Sequence, residues 1–178
     1  MARIWIALTR SVLTPTARTA ILNLMSELSY RESILVACSA EKLYGLVSDV
    51  TRMGEWSPIC MACWWDDDSG PRPGAWFTGR NQTPGRTWET RSQVVVADPG
   101  REFAFEVNNG WVRWAYTFTP VGGGTELTEI WNFLPAGIDG FHQRYGADAE
   151  HQIAERTSAA HHSIPVTLAA IKRTAESG

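Results

Sequence analysis

YGADAEHQIAERTSAAHHSIPVTLAAIKRT, Tyr145 to Thr174, is the one long helical pattern in the chain. Apolar or small residues recur at Tyr145, Ala149, Ile153, Ala160, Ile164, Leu168 and Ile171. Those steps lay one face along a helix with a period of about 3.6 residues. The pattern predicts a helix from about Phe141 to Thr174. Gly146 costs about 1 kcal/mol of propensity near its start. Pro165 lacks the amide that would meet the carbonyl of His161, so a kink or split is expected at His161 to Ile164. Small residues dominate the apolar face before that point and larger aliphatics follow it. A helix with such a narrow waist can approach a sheet closely or leave a void beside it.

Upstream of this helix the chain reads as strands and short helices. Arg31 to Cys38 is rich in aliphatics and predicts a strand. Ser39 caps a helix, AEKLYGLVSDV, whose buried face is Leu43, Leu46, Val47 and Val50. Lys42 at the third helical position makes this a simple cap and not a capping box. Thr51 starts a second short helix, TRMGEW, ended by Ser57-Pro58. Six further strands follow: Ile59 to Asp66, Ala75 to Asn81, Arg86 to Ala97, Arg101 to Val107, Trp111 to Thr119 and Glu126 to Leu134. PRPG, Thr83 to Gly85, Asp98-Pro99-Gly100, Asn108-Asn109-Gly110 and Pro120 to Gly124 supply the turns. Consecutive hairpins argue antiparallel pairing. The expectation is an α+β fold: a curved antiparallel sheet of about seven strands around the C-terminal helix, with two short helices after the first strand.

Composition sets outer limits. The 178 residues suffice for one domain with a sizeable core. Residues 29–174 are read as that domain, 175–178 as a tail and 1–28 as an N-terminal extension. Within the extension, Ile4 to Leu8 is too short to span a bilayer, and Arg10 and Arg18 break up any signal-peptide core. It reads as a loose extension with a helical turn or two at Ile21 to Leu28, or as an over-long start with Met25 as the true initiator. Apolar residues make up 44% and charged residues 20%, which excludes compositional disorder. A formal charge of −3 gives no reason to expect nucleic acid. Three cysteines make no disulfide framework, and a reducing, cytoplasmic compartment is the simpler reading. No stable membrane insertion and no cofactor are expected, and the protein is read as a monomer or homodimer.

Alternation assigns the faces. Trp88, Thr90, Ser92, Val94 and Val96 share one; Phe103, Phe105 and Val107 another. Trp114, Tyr116 and Phe118 continue it, as do Leu127, Trp131 and Phe133, and Phe77 with Ala75 and Gly79. A twisted sheet with these faces inward curls around the helix. Nine tryptophans suit a solid core and a ligand-lined hollow alike, and alternation does not choose between them.

The segment SILVACSAEKLYGLVSDVTRMGEWSP, the turn VVVADPGREFAFEV, the strand GGGTELTEIWNF and the C-terminal helix together resemble the helix-grip fold. That fold is shared by START domains, plant pollen allergens of the pathogenesis-related class and bacterial aromatic cyclases. More closely, the chain resembles the bacterial polyketide cyclase/dehydrase and lipid-transport superfamily over about Met25 to Thr174. The resemblance implies a hollow between sheet and helix that holds an apolar or aromatic ligand. It implies no fixed catalytic residues. On that reading the wall comes from Phe77, Trp88, Phe103, Phe105, Trp114, Tyr116, Trp131 and Phe133, with Ile153 and Ala160 from the helix.

Smaller motifs carry less. Cys60 and Cys63 have C-x-x-C spacing without a second pair, and three residues apart on a regular strand they point to opposite sides. Redox chemistry is correspondingly weak. Asp66, Asp67 and Asp68 read as a solvated strand end. Gly122-Gly123-Gly124 is a turn without the Lys-Ser/Thr of a phosphate loop. His161 and His162 point about 100 degrees apart on the helix and do not share a metal. No metal site is expected.

Three polar residues on the inner faces stand out. Glu129 shares its face with Leu127, Trp131 and Phe133; Asn81 shares one with Phe77; Arg156 lies between Ile153 and Ala160. A buried carboxylate must be bonded, paired or neutral. Glu129 therefore either orients a ligand, or acts as an acid or base, or is satisfied by a neighbouring Arg or Tyr. A one-residue bulge in its strand would turn it outward. The functional expectation is binding, transport or sequestration of a hydrophobic, lipid- or polyketide-like small molecule. The alternatives are a cyclase or dehydratase with cavity acid and base, and an interaction domain with a filled core.

Overall fold

The computed structural model describes residues 28–68 and 70–177. The reading of the N-terminal extension lies outside them, apart from Leu28. Strand β1 (Ser29–Val36) leads into helix α1 (Ala40–Ser48) and a short 3-10 helix (Val50–Glu55). Six strands follow: β2 (Cys60–Trp65), β3 (Trp76–Thr83), β4 (Arg86–Asp98), β5 (Glu102–Val107), β6 (Val112–Val121) and β7 (Gly124–Phe133). Helix α2 (Pro135–Tyr145), a 3-10 turn at Gly146–Asp148 and helix α3 (Ala149–Ser177) close the chain. The sheet is wholly antiparallel, in the order β1-β7-β6-β5-β4-β3-β2. This is the expected helix-grip architecture.

Local chemistry explains the joints. Ser39 caps α1 by accepting from the Lys42 amide at 3.2 Å. The β5–β6 hairpin turns through Asn108, Asn109 and Gly110, all at positive φ, a region Asn and Gly tolerate best.

Three expectations are corrected. The predicted helix from Phe141 is two helices. Pro135 starts α2 at a position that needs no amide donor, and Gly146 at φ 55 ends it. Pro165 does not split α3, which runs unbroken from Ala149 past the expected end at Thr174 to Ser177, so Ala175 belongs to the core and not to a tail. In β4 the register shifts between Val94 and Val96. Beyond that bulge Ala97 packs on the core in place of Val96, because an extra residue reverses the side-chain parity.

The core lies between the concave face of the sheet and the apolar stripe of α3. Ile164, Leu168 and Ile171 are fully or almost fully buried there, in one cluster with Leu127, Val36 and Phe103. Among the described residues, no helix is long and apolar enough to cross a membrane.

Candidate functional site

The sheet and α3 do not meet everywhere. The small residues Ala159, Ala160 and Ser163 leave room, and two adjoining chambers open beside them. The inner has a volume of about 150 Å³, the outer about 320 Å³. Ile59, Asn81, Thr90, Val107, Trp114 and Ser163 line both and form the partition. The aromatic faces therefore border a hollow as well as filling a core.

The outer chamber is walled by Trp88, Trp111, Trp114, Trp131, Phe133 and Phe141, with Arg86, Arg144 and Arg156 among its polar members. Arg86 sits over the Trp88 ring at 4.8 Å and Arg144 over Tyr145 at 5.4 Å. Arg156 donates to Gln152 Oε1 at 3.3 Å, and Ala160 lines the same wall.

The inner chamber has Phe77 and Phe105 on the sheet side, Ser163 and Thr167 on α3, and Met53 and Trp56 at the 3-10 end. Tyr116 and Glu129 face each other across β6 and β7 on its wall. The Tyr116 hydroxyl donates to Glu129 Oε1 at 2.9 Å. Oε2 is buried and has no hydrogen-bond partner among the described residues. Glu129 is 2% exposed, and burial raises its pKa from 4.5 to about 8; the hydrogen bond from Tyr116 pulls the other way and only partly offsets this. Burial first, then the neighbouring carboxylate, holds the Tyr116 hydroxyl well above its ordinary range. At neutral pH the pair is thus mostly a neutral acid beside a neutral phenol.

Asn81 donates to the Gly79 carbonyl at 3.2 Å and to Thr90 Oγ1 at 3.1 Å, which fixes its amide in the partition. Phe103 and Ile153 are buried but line neither chamber. The other expected wall residues do line one or both: Phe77, Phe105, Tyr116 and Glu129 the inner; Trp88, Trp131, Phe133, Arg156 and Ala160 the outer; Asn81 and Trp114 both. The unbroken register of β7 with both neighbours keeps Glu129 on the inner face.

Sequence reasoning missed Trp111 and Phe141, because α2 was not resolved as an element of its own. It also misplaced the cysteines. A register shift between Cys60 and Ala62 leaves Met61 and Ala62 both exposed and turns Cys60 and Cys63 inward together. Their sulfurs lie 3.2 Å apart, buried on the wall of the inner chamber. The hydrogen bond from Cys63 lowers the pKa of Cys60, while that bond and burial push the Cys63 thiol far up.

A seven-stranded sheet gripping a long helix over an aromatic hollow defines a helix-grip domain. The sequence matches the family model described as polyketide cyclase/dehydrase and lipid transport over residues 27–156, and the chain belongs to that family. It is similar to the Polyketide_cyc-like protein Cgl2372 of Corynebacterium glutamicum at 51% identity, covering 84% of this chain and 91% of that one, with a TM-score of 0.63. The fold also matches StfQ, a di-domain ARO/CYC protein of the steffimycin biosynthetic pathway, at 16% identity and a TM-score of 0.64. That match covers 88% of this chain but 53% of StfQ, so this chain spans about half of it. Ara h 8.0201 shares the fold at 14% identity, 84% and 98% coverage and a TM-score of 0.56. No curated protein matches the chain.

Proposed function

We propose that the domain binds a hydrophobic or aromatic small molecule, lipid- or polyketide-like, between the sheet and α3, with Glu129 as the polar contact that orients it. The carrying observation is the unpartnered Oε2 of Glu129, buried on the wall of a chamber otherwise lined largely by apolar groups. Leaving a buried oxygen unsatisfied costs about 1–3 kcal/mol, which a ligand hydroxyl or carbonyl recovers. With Oε1 occupied by Tyr116 and a pKa of about 8, Oε2 holds the proton at neutral pH and donates it. The preferred ligand therefore presents an acceptor oxygen to the inner chamber and an apolar or aromatic body to the outer one. The outer chamber alone reaches the lower end of the about 300–1,000 Å³ range of small-molecule pockets. Apolar burial supplies most of the affinity, at about 25 cal/mol per Å² before the costs of association.

The Glu129–Tyr116 pair also supports a second reading. An acid with its pKa near the working pH, in contact with a phenol, is suited to proton transfer during cyclisation or dehydration of a bound polyketide. Titration with fatty acids, flavonoid-like aromatics and polyketide analogues, followed by tryptophan fluorescence and calorimetry, tests the binding reading. Trp56, Trp88, Trp111, Trp114 and Trp131 line the chambers and should report occupancy. No binding across that panel would overturn it. Binding that survives Glu129→Ala unchanged would remove Glu129 from the site. Turnover of an analogue, lost in Glu129→Gln, would favour the enzymatic reading.

A further inference from the structure

The ligand-binding reading makes no use of the sulfur cluster at the 3-10 end of the inner chamber. Cys63 Sγ lies 3.2 Å from Cys60 Sγ and 3.8 Å from Met53 Sδ. The two thiols come from β2 and the thioether from the 3-10 helix packed beside it. We propose that Cys60, Cys63 and Met53 form a binding site for one soft monovalent metal ion of the Cu(I) class.

The donor set selects the ion. Thiolate and thioether sulfurs favour Cu(I), whereas imidazole and carboxylate suit harder or borderline metals. Among the described residues, no group of three or more His, Cys, Asp or Glu could hold a metal, so nitrogen and oxygen donors do not complete a zinc-type set here. Buried cysteines often serve merely as small apolar fillers. That role does not require the bulge. A regular strand would send Cys60 and Cys63 to opposite faces; the register shift after Cys60 brings both sulfurs to one point. The neighbouring strand leaves room for them. A Cβ on Gly79 would lie 3.1 Å from Cys63 Sγ and 3.7 Å from Cys60 Sγ. All three sulfur residues line the chamber, which gives the ion a route in. On binding, two thiols release their protons to solvent as two metal–thiolate bonds form, the thioether donates a lone pair, and no electron is transferred.

The test is anaerobic titration of the reduced full chain with Cu(I) held by a chromophoric chelator. The wild type should withdraw one Cu(I) per chain. Cys60→Ser and Cys63→Ser should each weaken binding by more than about 100-fold, since losing even an outer partner of a metal site costs about 10–100-fold. Met53→Leu, which conserves volume, should weaken it on the order of 10-fold, and Cys38→Ser should leave it unchanged. Should a serine variant fail to fold, X-ray absorption at the copper edge of the wild type decides: a shell of sulfur alone is expected. A chelator that keeps all its copper, binding that survives Cys60→Ser and Cys63→Ser, dependence on Cys38, or nitrogen or oxygen in the first shell would each overturn the proposal. None of these readouts depends on an organic ligand, so failure here and failure of the ligand-binding reading are separable.

Discussion

Glu129 loses hydration on folding and gains one hydrogen bond, from Tyr116. Its folded pKa of about 8 lies above the ordinary 4.5, so between those values the folded state binds more protons than the unfolded one. Stability should therefore fall as pH rises through about 4.5 to 8 and level off above, by an amount on the order of a few kcal/mol. Glu129→Gln cannot ionise and should flatten that slope; urea melts at pH 5, 7 and 9 compare the two proteins directly. A wild-type slope no steeper than that of Glu129→Gln would mean the carboxyl is hydrated or paired. Binding of an acceptor ligand should weaken over the same upper range as Oε2 loses its proton, which calorimetry at pH 6.5 and 9 would read. The inward direction of Glu129 was legible in the sequence because β7 alternates without interruption. Cys60 and Cys63 were not, because a bulge leaves no mark in the alternation of so short a strand.

At the scale of elements, strands between strong turn signals were legible to within a few residues, and so was the capped α1. Helix α2 was not: two glycines and a charged surface hide its period, and its reason for existing is tertiary. Gly137 and Gly140 lie against Trp111. A Cβ on Gly137 would run into the Trp111 carbonyl oxygen, and one on Gly140 would meet the indole ring. Phe141 then stacks edge-on with Trp111 at 5.7 Å and with Phe133 at 5.0 Å. Alanine would ordinarily improve a helix by about 1 kcal/mol over glycine. Here it should destabilise, by about 1–3 kcal/mol of overpacking. Because Trp111 and Phe141 both wall the outer chamber, Gly140→Ala should also weaken ligand binding. Chemical melts with a fluorescence titration would show it, and a Gly140→Ala protein as stable as wild type would mean that α2 does not depend on this contact. Pro165 was legible as a missing donor but not as a break. Large buried residues flank it, Ile164 before and Leu168 and Ile171 after, and their packing holds the helix together across the gap.

At the scale of the whole molecule, the sheet and α3 each present an apolar face that the other covers in large part, with α1 packed beside them. The last half of α3 crosses β1 and β7 and is pinned at its end: Lys172 Nζ donates to the Leu35 carbonyl at 2.6 Å, and the Ala37 amide donates to Glu176 Oε1 at 2.9 Å. Removing Ile164 onward would expose Leu127, Val36 and their neighbours and delete three buried aliphatics. Each of those is worth about 1.5–3 kcal/mol, before counting the sheet surface laid bare. A domain of this kind is stable by only about 5–15 kcal/mol, so the deletion consumes most or all of that margin. The truncated chain should lose its cooperative thermal transition and its dispersed amide spectrum. Ile171→Ala, which leaves the helix in place and removes one fully buried side chain, should cost about 2–5 kcal/mol and still melt cooperatively. Retention of a cooperative melt by the truncated chain would show that the curved sheet folds without its helix, and the hollow between them would then belong to a secondary docking event.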